Sequence, residues 1–179
     1  MNIKWRIHAR KILLVYRYEQ YFLENAWEKE NLMEDIEKIQ KFLKQEEWTE
    51  EVILKDVMNK TYYEDFDTEI AYIIEQYFEW VKPKDIDFDY VKKIWPTFYA
   101  YRDIVRELVN EHTVTFGFEE MDLMDRVIFV LGYAEFLLIK TPKEIILNEM
   151  VELAKRYGDD KSSKLINGIW HKVLSALEK

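Results

Sequence analysis

The sequence predicts an all-α protein, a helical bundle in one domain that covers residues 1–179. About half of the residues are apolar, and only four glycines and three prolines interrupt them. The apolar residues recur at spacings of three and four, without the alternation that half-buried strands require. A chain of this length can bury one good core but is short for two.

The first helix should run from about Ile3 to Glu24, and it begins with the most basic part of the chain. Residues 1–18 carry five cations and no acid, so this segment is +5 while the whole chain is −9. In a helical projection the cations fall on two flanks, Arg6, Arg10 and Arg17 on one and Lys4 and Lys11 on the other. The side assigned to the core comprises Trp5, Ala9, Ile12, Leu13, Tyr16 and Gln20.

An apolar strip of Ile7, Leu14 and Tyr18 lies between the two flanks. Such a strip suits single-stranded RNA, because phosphates bind cations and unstacked bases bind flat apolar surfaces. The same pattern would arise if the strip packed on another helix and the arginines were simply solvated. Both interpretations remain open at this point.

Residues 27–95 are predicted to form acid-rich helices whose outer faces are solvated or dock a basic partner. The expected elements are an apolar stripe over residues 32–43, a short helix from Thr49 and a helix over residues 66–81. The buried side of that last helix should hold Ile70, Ile73, Tyr77 and Phe78.

Asp85, Asp87 and Asp89 alternate in a way that suggests a calcium loop. An EF-hand loop starting at Asp85 needs glycine and glutamate where this chain has Tyr90 and Pro96. These aspartates are therefore expected to cap a helix that begins near Tyr90. A further helix should follow over residues 97–111.

Val127–Ile139 is the most apolar stretch, and at thirteen residues including Glu135 it is too short to span a bilayer. It is predicted to be a buried central helix. We expect Glu135 to bond to backbone or to a nearby cation rather than to act in catalysis.

Thr141–Lys172 predicts a helical hairpin. Thr141 should cap its first helix in a capping box with Glu144, and Gly158 should end that helix in left-handed geometry. Ser162 should cap the second helix. The expected buried stripes are Ile146, Met150, Leu153, Ala154 and Tyr157, then Leu165 or Ile166, Ile169, Trp170, Val173, Leu174 and Leu177.

Asn148 and the Asn167-Gly168 pair are unfavourable inside helices, at several tenths to about 1 kcal/mol each. Gly168 could permit close helix contact while each asparagine satisfies buried backbone. The alternative is that these residues belong to a family signature. We expect Asn148 to bond backbone across the hairpin and Glu149 to lie nearer the solvent.

The segments ILNEMVELAKRYG and KSSKLING closely resemble the C-terminal signature of the NusB transcription antitermination factors, INEAVELAKKFG followed by S-x-KFxNGVLDKI. Upstream, MDLMDRVIFVLGYAEFLL is similar to the DR-x-x-L-x-x-x-x-YEL helix of that family. The family's Arg-rich start is matched by Arg6, Ala9, Arg10 and Tyr18, whereas Arg17 replaces a leucine. Between Trp27 and Trp95 we find no match to the family.

The resemblance implies a cytoplasmic factor that binds the boxA element of nascent RNA together with NusE, a small-subunit ribosomal protein, in the transcription elongation complex. Family motif and helix pattern together predict RNA contacts at Lys4, Arg6, Arg10, Arg17, Lys164 and Leu165. Leu165 stands where the family has a stacking phenylalanine, and Lys161 replaces a residue that is often acidic. Tyr18 and Lys161 would contribute to the surface for the protein partner.

No catalytic, cofactor or metal site is predicted. The chain has no cysteine, three histidines and three serines, and it lacks a Gly-rich phosphate loop. The alternative to RNA binding is a NusB-fold protein that binds only protein through its acidic, aromatic-rich middle. The net charge and Leu165 favour that alternative, and the basic N-terminus opposes it.

Overall fold

The computed structural model describes residues 3–28, 66–114 and 117–177, and every regular element in these ranges is helical. The α-helices are α1 (Ile3–Glu28), α2 (Phe66–Tyr77), α3 (Phe88–Ile94), α4 (Phe98–His112), α5 (Leu123–Ala134), α6 (Lys143–Tyr157) and α7 (Ser162–Leu177). A π-helical turn, Glu135–Ile139, continues α5. The predicted all-α class is confirmed. None of the described helices is both long enough and apolar enough to cross a membrane.

The chain divides into two compact units, one formed by residues 1–18 with 80–179 and the other by residues 19–79. The single domain expected over residues 1–179 stays a prediction. In the second unit α2 buries Ile70 and Ile73 as predicted, but it ends at Tyr77, which is 46% exposed. The predicted stripe over residues 32–43 and the short helix from Thr49 lie outside the described residues.

The buried side of α1 is wider than its sequence pattern predicts. Ala9, Ile12, Leu13 and Tyr16 are buried as expected, and the side chain of Gln20 lies outside the described part. Leu14, which was expected on the exposed strip, is completely buried. Trp5 is 39% exposed instead of belonging to the core. The buried side of α1 therefore includes part of the strip that was expected to be exposed.

Helix α5 is the centre of the first unit and contacts α4, α6 and α7. Phe129 of α5 stacks on Trp170 of α7 with 5.4 Å between ring centroids. Gly132 permits this approach, because a Cβ atom there would lie 2.6 Å from the Trp170 ring. The predicted buried central helix is therefore confirmed, although its last residues adopt the wider π-turn.

The hairpin forms, but three of its predicted end signals are wrong. Thr141 does not cap α6, because its hydroxyl donates to Glu135 Oε1 at 2.9 Å. Gly158 is extended, with φ −87°, and glycine is needed there because a Cβ atom would lie 2.4 Å from Ser162 Cβ. Ser162 is the first residue of α7, and Asp159 Oδ1 accepts its backbone N–H at 2.8 Å. Within the described residues, left-handed backbone occurs at Lys140, with φ 56°.

The two hairpin stripes pack mostly as predicted. The buried residues are Ile146, Met150, Leu153 and Ala154 in α6, and Ile166, Ile169, Trp170, Val173 and Leu174 in α7. Ile166, not Leu165, occupies the core position that the sequence left open.

Candidate functional site

The strongest polar cluster in the described first unit surrounds Glu135, whose side chain is fully buried. Arg10 of α1 donates from Nε to Glu135 Oε2 at 2.8 Å and from Nη2 to Glu135 Oε1 at 2.6 Å. Its third nitrogen, Nη1, donates to Glu149 Oε2 at 2.8 Å. Tyr90 and Thr141 donate their hydroxyls to the same Glu135 carboxylate. The expectation that Glu135 binds a nearby cation is thus confirmed. Glu149 belongs to the same cluster as the second carboxylate that Arg10 binds.

The hydrogen bonds of the cluster keep its pair of charges ionised. Burial raises the pKa of Glu135, but the hydrogen bonds and charge of Arg10 outweigh burial, so that the pKa is lowered overall. Burial likewise lowers the pKa of Arg10, and the bonds and charge of Glu135 more than reverse this. Burial raises the pKa of Tyr90 well above its usual range. Tyr90 is therefore a neutral donor to the carboxylate.

Arg6 is held one turn before Arg10 in a second ion pair. Arg6 Nη2 lies 2.8 Å from Asp87 Oδ2, and its guanidinium carbon lies 4.3 Å from the centroid of the Tyr90 ring. Asp87 also caps α3, since its Oδ1 accepts the backbone N–H of Tyr90 at 3.1 Å. The predicted capping role of this aspartate is confirmed.

Three predicted phosphate contacts are therefore not on the surface. Arg6 is 8%, Arg10 4% and Arg17 0% exposed, so the expected exposed basic flank is wrong. A helical projection cannot detect this, because all three side chains are amphipathic and the carboxylates that accept Arg6 and Arg10 lie 81 and 125 positions away. The other interpretation, in which the strip packs on a helix, is correct for Leu14, but the arginines are buried rather than solvated.

The remaining predicted RNA-contact residues do reach the surface. Lys4 and Lys164 are exposed and Leu165 is half-buried. Of the predicted partner residues, Lys161 is exposed and Tyr18 is half-buried. The turn into α7 brings Lys161 and Lys164 together, because the Lys164 backbone N–H donates to the Lys161 carbonyl at 3.0 Å.

One face of α7 carries an exposed stripe that packing does not explain. Lys164, Asn167, Gly168 and His171 follow the spacing of one helix face, and all four are exposed. Among the described residues, no atom outside the helix's own nearby backbone lies within 4 Å of a Cβ built on Gly168, so none of them makes the close helix contact considered for this glycine. Asn148 of α6 is exposed too, and its side chain makes no hydrogen bond to another described residue, so its predicted bond across the hairpin is wrong. We call Lys164, Asn167, Gly168 and His171 the α7 stripe.

The sequence did not indicate that a cation of α1, Lys11, lies close to a cation of α6, Arg156. Lys11 is half-buried, and burial together with the charge of Arg156 lowers its pKa, while Glu149 raises it. Arg156 is exposed near the end of α6. No sequence signal connects positions this far apart, since only the packing of the two helices brings their charges near one another.

The comparisons with known proteins agree with this architecture. The family model described as "NusB family" matches residues 52–175. The chain belongs to the NusB family. The match includes much of the segment before residue 95, in which no family resemblance was evident from the sequence alone. This chain is similar to the transcription antitermination protein NusB of Cyanothece sp., at 32% identity over 95 residues. That alignment covers 53% of this chain and 44% of the relative, less than half of its length.

Two solved NusB structures share the fold. T. maritima NusB superposes with a TM-score of 0.57 at 18% identity, covering 95% of this chain and 90% of the other. A chain from a crystal structure of the antitermination factors NusB and NusE in complex with dsRNA superposes with a TM-score of 0.51 at 22% identity. It covers 66% of this chain and 86% of its own. The predicted family and its helical fold are confirmed.

Proposed function

We propose that this NusB-family chain is an RNA-binding factor of transcription antitermination that acts together with a NusE-type ribosomal protein. The observation that carries the proposal is the α7 stripe, in which Asn167 and Gly168 stand exposed beside Lys164. Asparagine and glycine together weaken a helix by roughly 1 to 2 kcal/mol relative to alanine, and within the described part of the chain no packing partner compensates for Gly168. A ligand contact supplies the reason for keeping them.

The chemistry of the α7 stripe suits a nucleic acid. Lys164 supplies a cation for a phosphate, Asn167 offers both hydrogen-bond donors and acceptors, and the bare backbone at Gly168 permits close approach. Leu165, half-buried beside the stripe, would give bases an apolar contact but no aromatic ring. The exposed Lys4 of α1 would add a further phosphate contact. We keep these five positions, with His171, as the proposed RNA surface.

The partner surface is proposed on the same unit. Tyr18 presents a half-buried ring near the end of the described α1 side chains, and Lys161 is exposed just before α7. The structurally similar chain from the complex of NusB and NusE with dsRNA supports a protein partner of this class. A boxA-like RNA sequence and recruitment to the transcription elongation complex are part of the same proposal, and follow from the family alone.

Binding of fluorescently labelled single-stranded RNA, measured by anisotropy at several salt concentrations, tests the RNA part. Lys164→Ala should weaken binding and lower the slope of log affinity against log salt by about 0.7. Leu165→Phe should strengthen binding by about 1 kcal/mol through stacking without changing the slope. Lys155→Ala is the matched control, because Lys155 is an exposed lysine on α6 that pairs with Glu152. Equal effects of Lys164→Ala and Lys155→Ala would contradict the proposed surface.

The burial of Arg6, Arg10 and Arg17 favours a second candidate, a NusB-fold factor that binds only protein. Removing these three cations from the surface leaves fewer phosphate ligands than the sequence indicated. A pull-down from lysate with and without nuclease treatment separates the two candidates. Partners that disappear on nuclease treatment support RNA binding, whereas partners that persist, combined with no affinity for labelled RNA, support the protein-only factor. The alanine variant of Tyr18 should weaken capture of the protein partner in either case.

A further inference from the structure

A cleft of about 860 Å³ opens where the start of α1 meets α3 and the π-turn. Its buried wall is formed by Tyr90, which is 1% exposed, and by Arg6, which stacks on the Tyr90 ring at 4.3 Å. Trp5, Asp89 and Lys93 line the same cleft and are exposed. Packing of three separate chain segments builds this cleft, so the sequence alone does not indicate it.

The inner wall of the cleft is rigid. Asp87 holds the Arg6 guanidinium at 2.8 Å and accepts the backbone N–H of Tyr90, and its own N–H donates to the Trp5 carbonyl at 3.3 Å. The Tyr90 hydroxyl is bound to Glu135 at 2.8 Å. These bonds connect the backbone at Trp5 to the start of α3. A preorganised wall of this kind loses little conformational entropy when a ligand binds.

Trp5 supplies a flat apolar surface at the mouth of the cleft. Trp5 lies in the first turn of α1 and remains 39% exposed, whereas Ala9, Ile12 and Leu13 further along the helix are completely buried. An unstacked nucleobase gains a stacking partner on such a ring, and this contact tolerates every base because each has a π face. The apolar part of the cleft therefore suits a base from a single strand rather than a paired one.

The negative charge of Asp89 and the positive charge of Lys93 determine which hydrogen-bonding groups a bound nucleotide needs. Within the described residues, neither the Asp89 nor the Lys93 side chain forms an ion pair. A lysine donates hydrogen bonds and attracts phosphate. A carboxylate accepts hydrogen bonds and repels phosphate. Exocyclic amino groups of adenine, cytosine and guanine can donate to a carboxylate, whereas an oxygen stands at the corresponding position of a uracil-type base.

We propose that this cleft binds one amino-bearing base of single-stranded RNA, stacked on Trp5, with its amino group donating to Asp89 and a neighbouring phosphate on Lys93. The inference rests on the proposed RNA-binding function and adds to it a site with base selectivity. It differs from the α7 stripe in its residues, which come from α1, α3 and the π-turn.

A metal ion is a poorer occupant of this cleft. The Asp87 carboxylate is already used by Arg6 and by the Tyr90 N–H, which leaves Asp89 as a single free carboxylate beside a lysine. Within the described part of the chain, no group of three or more histidine, aspartate or glutamate residues is arranged to hold a metal ion. A peptide is the remaining competitor for the cleft, and it would show itself as capture of a protein that depends on Trp5.

The test is anisotropy of labelled oligoadenylate and oligouridylate of equal length with the full chain. The wild type should bind oligoadenylate several-fold more tightly than oligouridylate. Trp5→Ala should weaken oligoadenylate binding by about tenfold, and Trp5→Phe should restore most of that loss because it keeps a flat ring. Asp89→Asn should reduce the preference between the two RNAs without abolishing binding.

Lys93→Ala should lower the salt slope of binding by about 0.7. Its matched control is Lys92→Ala, the same change at the next residue of α3, which does not line the cleft. Circular dichroism of each variant checks that folding is retained, which is expected because the substituted side chains are exposed.

The outcomes separate the two levels of the proposal. If the wild type binds neither RNA, the proposed function fails and the cleft assignment fails with it. If the wild type binds RNA but Trp5→Ala and Lys93→Ala behave as wild type, the cleft assignment alone is overturned. It is overturned as well if both RNAs bind equally, or if Trp5→Ala abolishes capture of a protein partner while RNA affinity is unchanged.

Discussion

Arg10 and Glu135 form a two-pronged ion pair, with N···O distances of 2.6 and 2.8 Å, although 125 positions separate them in the chain. The pair joins α1 to the π-turn that follows α5. Arg10 also binds Glu149, so that one guanidinium connects α1, the π-turn and α6. An arginine expected to bind phosphate is thus part of the protein core.

Replacing Arg10 should destabilise the fold strongly. Arg10→Met leaves Glu135 buried without its cation, and breaking a buried pair from one side costs roughly 3 to 5 kcal/mol. The control is Arg106→Met, which breaks an exposed pair with Asp103 at 3.1 Å and should cost less than about 1 kcal/mol. Urea unfolding at neutral pH measures both changes. Similar small losses in the two variants would show that Arg10 is not a core residue.

The pH dependence of the same variant provides a second prediction. In the wild type the pKa of Glu135 is lowered, so its contribution to stability is present above the ordinary glutamate pKa and is lost as pH falls through the lower folded value. Without Arg10, burial dominates and raises that pKa. The stability gap between Arg10→Met and wild type should therefore narrow as the pH falls below neutrality, as urea titrations at a series of pH values would show. A constant gap would contradict the role assigned to Glu135.

Glu149 and Asn148 should differ in the opposite order from the one that the sequence suggests. Glu149→Ala removes an ion pair with Arg10 at 2.8 Å, in which the glutamate side chain is 20% exposed, and should cost about 1 to 3 kcal/mol. Asn148→Leu changes an exposed residue and slightly improves helix propensity, so its effect should be close to zero. Thermal melting of both variants measures which substitution destabilises the protein more. A larger loss for Asn148→Leu would mean that α6 is rotated from its described orientation.

Two glycines should respond to alanine with opposite signs. Gly132→Ala places a Cβ atom 2.6 Å from the Trp170 ring and 3.0 Å from Met150, and overpacking of this kind costs about 1 to 3 kcal/mol. Gly168→Ala meets no packing neighbour within 4 Å among the described residues and should stabilise the helix by about 1 kcal/mol. Unfolding free energies of the two variants test the difference. If the α7 stripe binds RNA closely, Gly168→Ala should weaken that binding even though it stabilises the protein.

Asp125 should make the protein more stable in mild acid than at neutral pH. Its side chain is buried, and burial together with the charges of Asp122 and Asp159 raises its pKa to about 6, against a hydrogen bond from Ser162 that lowers it. The native state then binds a proton more readily than the unfolded chain. Its contribution to the unfolding free energy consequently falls as the pH rises from about 4 to about 6.

Asp125→Asn removes this dependence because the amide does not ionise. The variant should be more stable than wild type above pH 6, by up to about 3 kcal/mol, and the difference should shrink towards pH 4. Asp160→Asn makes the same charge change at an exposed position of the hairpin turn and serves as the control. Urea titrations at several pH values give the curves. The same pH profile in both variants would rule out Asp125 as its source.

Local sequence patterns were sufficient to predict much of the fold. Apolar spacing of three and four predicted the buried residues of α6 and α7 and most of the buried apolar residues of α1, because a helix repeats its faces every few residues. The capping role of Asp87 was predictable as well, since it depends on a backbone N–H three residues away. The motifs of the last 70 residues indicated the family that the comparisons confirm.

The details of the candidate site could not be predicted in this way. Leu14 and Arg17 follow the spacing of an exposed strip and its flank, yet both are completely buried. Gly158 occurs at the end of α6 as expected, but for close approach of Ser162 rather than for a left-handed backbone. A single helix projection contains no information about which neighbours cover it.

The sequence by itself determined that the chain is helical, where most of the described helices lie, and that it resembles the NusB family. Each of these depends on residues within a few turns of one another. Only the tertiary structure decided that Arg6 and Arg10 pair with Asp87 and Glu135, and that Trp5 and Lys93 line one cleft. Those contacts join positions about 80 to 125 residues apart, and the free energy of ion pairing and burial depends on the distance in space rather than along the chain.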